Sequence, residues 1–105
     1  MNERDLIKKM KEQGLDLNLA ETTEEKALVF ERALKIIIPP KSQGDTTGFR
    51  NVTSWLRDKC NRGEFDDGNI FRRVLDFALE ASGPESRKPA AVFMSILKKE
   101  LGYKK

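Results

Sequence analysis

Two groups of residues in this chain have types and spacing suited to holding an anion. Wound as a helix at roughly 100° per residue, Arg87, Lys88, Ser95, Lys98 and Lys99 fall within an arc of about 120°. Glu100, the only acid on that helix, falls away from them. Further back, Arg50, Ser54, Arg57 and Asn61 share a strip of roughly 60°, with Asp58 and Arg62 outside it. Arginine, serine and asparagine are side chains that reach phosphates and base edges, and lysine meets phosphates as a point charge. Both groups also satisfy plainer needs, because a bundle helix requires a solvated face and a helix C-terminus favours cations such as Lys98 and Lys99.

Other chemistry is excluded by composition. The chain has no histidine and a single cysteine, which removes an internal disulfide, zinc-finger spacing and Cys/His or Ser/His catalysis. Glu64, Asp66 and Asp67 lack the alternating oxygen ligands and distant glutamate of a calcium loop, so they read as capping residues. No phosphate-binding glycine loop and no partnered carboxylate pair is legible, and the expectation is a non-enzymatic protein with no cofactor and no metal. Trp55 borders an apolar face and Cys60 sits within one, so both read as core. Arg72 has Asp76 four residues on, and Arg73 shares a side with Asp76, Phe77 and Glu80, which reads as ordinary solvated surface.

Five helices must position these groups, and the fold class expected is all-α. The first runs from Glu3 to about Gln13, with Leu6, Ile7 and Met10 on one side and Gly14 as its stop. Leu15, Leu17 and Leu19 alternate with polar residues and read as an extended connector laying leucines on the core. The second helix starts at a capping box, Thr22 with Glu25. Its apolar set, Ala27, Leu28, Phe30, Ala33, Leu34, Ile37 and Ile38, is broad, and Pro39 and Pro40 end it. The stretch KSQGDTTG (41–48) has loop residues throughout and reads as a linker.

The third helix is expected from near Thr47 to Gly63, burying Phe49, Val52, Leu56 and Cys60. The fourth is expected to be capped by Asp66 with a Phe65–Ile70 staple, and to face Ile70, Val74, Phe77, Ala78 and Ala81 inward. The fifth starts around Ser86 to Pro89, buries Ala90, Phe93, Met94, Ile96, Leu97 and Leu101, and stops at Gly102 with Tyr103 folded back on Leu97. The third and fourth helices outline a helix-turn-helix, yet Asp66 and Asp67 open the second of the pair and would repel phosphates.

Charge is uneven along the chain. Residues 1–48 carry 8 Lys/Arg against 9 Asp/Glu, a net of −1, whereas residues 49–105 carry 12 against 8, a net of +4. The organisation expected is an N-terminal helical pair (1–38), a linker (39–48) and a basic three-helix unit (49–105), the pair being either tethered to that unit or packed on it as one domain. No apolar run approaches a membrane span and the N-terminus lacks a secretory apolar region, so no membrane partner and a cytoplasmic location are expected.

The stretch SRKPAAVFMSILKKELGY (86–103) has a basic residue, a helix-opening proline with small residues after it, an aromatic, an apolar run, further basic residues and a Gly-aromatic ending. It resembles the C-terminal helical segment of some plasmid and phage replication-initiator proteins, with Lys88 where an asparagine commonly precedes the proline. The resemblance covers under a fifth of the chain and implies no catalytic residue. Together these readings lead to a nucleic-acid-binding or replication-associated module using Arg50, Arg57, Arg87, Lys88, Lys98 and Lys99 for phosphates, with Ser54 and Asn61 adding polar contacts. The alternative is a protein-interaction or dimerisation module anchored by Leu6, Ile7 and Met10.

Overall fold

Glycine and proline stereochemistry sets most of the helix ends. The computed structural model describes the backbone of residues 3–83 and 87–104, with side chains except at positions 3, 6 and 7. In it α1 (Glu3–Glu12) stops where Gly14 turns left-handed at φ 72°, with Leu15 N–H donating to the Met10 carbonyl at 2.9 Å. The expected extended connector is instead a 3-10 turn, Leu17–Leu19, held by Asp16 Oδ1 accepting from Asn18 N–H at 2.9 Å. A 3-10 turn breaks the two-residue alternation. Leu15 and Leu17 are therefore half-buried, while Leu19 stays 75% exposed.

α2 (Thr23–Ile37) has the expected cap, with Thr22 Oγ1 accepting from Glu25 N–H at 3.1 Å. Ala27, Phe30, Ala33, Leu34, Ile37 and Ile38 are buried, but Leu28 is not, being 52% exposed. Leu28 lies roughly 180° around the helix from Ile37, so the buried face is narrower than its apolar residues suggest.

α3 (Gln43–Asn61) starts earlier than its sequence implies, and residues 43–48 are its opening turns rather than part of a linker. Ser42 Oγ accepts from Asp45 N–H at 3.1 Å, and Asp45 Oδ2 accepts from Lys41 N–H at 3.0 Å. This reciprocal cap outweighs the low helix propensity of two glycines and two threonines.

α4 also differs in its start. Asp66 caps a separate turn, its Oδ1 accepting from Gly68 N–H at 3.0 Å, and α4 (Ile70–Ala81) begins only after it. Its inward face is rotated too. Phe71 is fully buried and Leu75 is buried, whereas Phe77, expected inside, is half-buried at the edge beneath Arg73. Asp67 is a tertiary tie rather than a cap: its carboxylate accepts from Thr23 Oγ1 at 2.6 Å and pairs with Lys26 at 3.3 Å. The Thr23 hydrogen bond, with Lys26 adding to it, holds the Asp67 carboxyl below the usual carboxylate range despite the opposing effect of burial.

α5 (Pro89–Leu101) follows, starting at the last residue of the expected range; Ser86 itself lies outside the described residues. The fold is all-α, with no strand among the described residues. α2 packs on α3 and α4, and α4 on α5. One fully buried phenylalanine comes from each of these helices, Phe30, Phe49, Phe71 and Phe93, and all four belong to one hydrophobic core. No helix among the described residues is long and apolar enough to cross a membrane.

Candidate anion-binding interface

α5 is clamped at both ends by single-residue stereochemistry. Pro89 occupies its first turn, where the missing N–H costs nothing. Gly102 takes φ 67°, and Tyr103 N–H donates to the Leu97 carbonyl at 3.3 Å, the expected Schellman ending. Phe93 and Leu97 are fully buried, and Tyr103 packs edge-on against Trp55 with ring centres 5.0 Å apart. Burial also pushes the Tyr103 hydroxyl pKa up.

With one face so fixed, Arg87, Lys88, Ser95, Lys98 and Lys99 are all exposed. None of the four cations forms an ion pair among the described residues. Glu100 turns toward α4, where it lies 4.0 Å from Arg73. Arg73 therefore finds its acid on α5 rather than at Asp76, and Arg72 hydrogen-bonds Asn18.

The α3 strip is different in kind. Arg50 and Asn61 are exposed and Ser54 is half-buried, but Arg57 is engaged by Glu24 of α2 at 3.7 Å and by Asp58 at 3.9 Å. The other two cations near the end of α3 share Glu64, Lys59 at 3.1 Å and Arg62 at 4.0 Å. Lys59 also lies 5.7 Å above the Trp55 ring.

Arg57 and Trp55 are two positions apart, roughly 160° around α3. Arg57 reaches Glu24 of α2 while Trp55 meets Tyr103 just beyond α5, so Arg57 points away from the side of α3 on which Tyr103 packs. Trp55, read as core, is half-buried between Phe65 and Tyr103. Cys60 is half-buried as well, and burial, helped by Asp67 and Asp66, raises its thiol pKa.

A second feature was not legible in sequence. Where α2 and α4 end and α3 and α5 begin, the helices leave a cleft of about 680 Å³. Its walls are apolar, with Ile36, Ile38, Pro40, Ala90 and Ala91 among them. Lys9, Lys41, Arg87 and Lys88 line it as well, and Asp45 is the one carboxylate among its described lining. Lys41 sits in the segment read as a linker and Lys9 on a helix far away in sequence, so only the fold brings them beside Arg87 and Lys88.

Of the residues read as anchors for a protein partner, Met10 is half-buried against the core, and the side chains of Leu6 and Ile7 lie outside the described residues. No protein-family model, no curated protein and no solved structure matches this chain.

Proposed function

We propose that this protein is a non-enzymatic, nucleic-acid-binding helical module that meets phosphates through α5. The observation that carries this reading is the contrast in charge pairing. Arg87, Lys88, Lys98 and Lys99 are exposed and carry no ion pair among the described residues, whereas Arg57, Lys59 and Arg62 on and just beyond α3 are all paired. A cation already engaged by a carboxylate must give up that partner to bind a phosphate, while a solvated lysine gives up only counterions and water. Arg50 and Asn61 are exposed and form a lesser second contact; Arg57 contributes after release from Glu24. The resemblance of 86–103 to a segment of replication initiators agrees with this placement and suggests a replication-associated role.

The test is titration of labelled duplex and single-stranded DNA and RNA against the full chain, at low and moderate salt. The double variant Lys98→Glu, Lys99→Glu should weaken binding by about tenfold or more, with helicity unchanged, because both positions are exposed. Arg32→Glu, an exposed position on α2, controls for a general loss of positive charge and should change binding far less. Absence of binding by the wild-type protein at low salt would end this reading.

A further inference from the structure

We infer that the cleft at the junction of α2, α3 and α5 is a docking site for an acidic protein segment in which carboxylates flank apolar side chains. Its volume of about 680 Å³ lies within the range of about 300–1,000 Å³ typical of ligand sites. The floor is apolar: isoleucine, proline and alanine side chains supply most of it. Around that floor stand cations from three separate places, Lys9 on α1, Lys41 ahead of α3, and Arg87 with Lys88 ahead of α5. None of them has an ion pair among the described residues. Asp45 offsets only one of the four charges, and its carboxylate also accepts from the Lys41 backbone N–H.

Charge complementarity and the floor together select the occupant. A nucleic-acid backbone would satisfy the cations but leave the apolar floor unused, since among the residues lining the cleft there is no aromatic ring for a base to stack on. A purely apolar helix would use the floor but leave four cations without partners. A single anionic headgroup meets one station of the rim, not three. A peptide carrying several carboxylates with leucine or phenylalanine between them uses the floor and the rim at once.

The inference stands apart from the nucleic-acid reading, because Lys98 and Lys99 do not line the cleft. Arg87 and Lys88 belong to both surfaces, so an acidic segment seated in the cleft competes with phosphates for them.

The experiment is an NMR titration of the full chain, isotopically labelled, with a synthetic peptide of alternating glutamate and leucine or phenylalanine. One counterpart carries glutamine for glutamate and another carries serine for the apolar residues. Saturating amide shifts are expected at Ile36, Ile38, Lys41, Ala90 and Ala91, and both counterparts should bind about tenfold more weakly or worse. The pair Lys9→Gln, Lys41→Gln, which adds no acid beside Arg87 and Lys88, should weaken the peptide by a similar factor and weaken nucleic-acid binding far less than Lys98→Glu, Lys99→Glu does. Ala91→Glu, at an exposed floor position, should also weaken the peptide and guards against a fold defect in the pair; because Ala91 falls within the α5 stripe, its readout is the peptide alone. Lys98→Glu, Lys99→Glu should weaken nucleic acid and leave the peptide close to wild type. No saturating shifts, shifts centred elsewhere, or equal binding of the glutamine peptide would overturn the proposal. So would duplex DNA giving the same cleft shifts with loss of its binding in Lys9→Gln, Lys41→Gln, which would assign the cleft to nucleic acid.

Discussion

Phe71 has no solvent exposure, and its ring centre lies 5.4 Å from that of Phe30, at the contact between α4 and α2. Truncating it leaves a cavity between two helices that the surrounding side chains fill only in part. Phe71→Ala should therefore cost about 3–5 kcal/mol in urea unfolding. Phe77→Ala, at the half-buried edge beneath Arg73, should cost about 1 kcal/mol, since much of its surface is wet already. The reverse order would mean that the inward face of α4 is the other one. Asp67 gives a second residue-scale prediction, in pH. Its folded pKa is lowered by Thr23 and Lys26, so its contribution to stability is present above the unfolded value of about 4 and is lost as pH falls through the folded one. Asp67→Asn should therefore be less stable than wild type at about pH 7, and the gap should shrink progressively as pH falls below about 4.

Ser42 tests the start of α3. If its hydroxyl satisfies the Asp45 N–H, Ser42→Ala should cost about 1 kcal/mol and speed amide exchange over residues 43–48, where a loop would show neither effect. The same grammar, a hydroxyl residue followed three places later by an acid, marked the start of α2 at Thr22 and Glu25. At Ser42 and Asp45 it was obscured by Gly44, Thr46, Thr47 and Gly48, whose propensities argue for a loop when no packing is known. Phe71 was missed for a related reason. α4 touches both α2 and α5, so its buried band is wide and centred away from the stripe that spacing alone selects. The ends of α5 were legible because Pro89 and Gly102 act through their own backbone stereochemistry, without help from distant residues. Its exposed cations followed from helical period once those ends were placed. The engagement of Arg57 by Glu24 and the cleft lined by Lys9, Lys41, Arg87 and Lys88 depend on which helices meet, and no local pattern carries that.

The Cα radius of gyration is 12.9 Å, against about 13 Å for one compact unit of this length, and the same core draws side chains from α2 through Tyr103. The uneven charge of the sequence is thus distributed over a single small body, and on and just ahead of α5 it leaves Arg87, Lys88, Lys98 and Lys99 without an ion pair among the described residues. From Lys88 to Lys99 that helix spans about 16 Å at 1.5 Å per residue, close to five base pairs of duplex. Four phosphate contacts along it would release counterions in proportion. The logarithm of the duplex affinity should then fall with the logarithm of salt concentration with a slope of about −3 to −4. Lys98→Glu, Lys99→Glu removes two of those contacts, so its slope should be shallower by about 2, whereas Arg32→Glu should leave the slope almost unchanged. The slope separates phosphate contact from a general electrostatic attraction, because a diffuse field weakens with every lost charge wherever it sits. Equal slopes for the α5 and α2 variants would mean that α5 holds no defined phosphate contacts, even if the protein bound DNA at low salt.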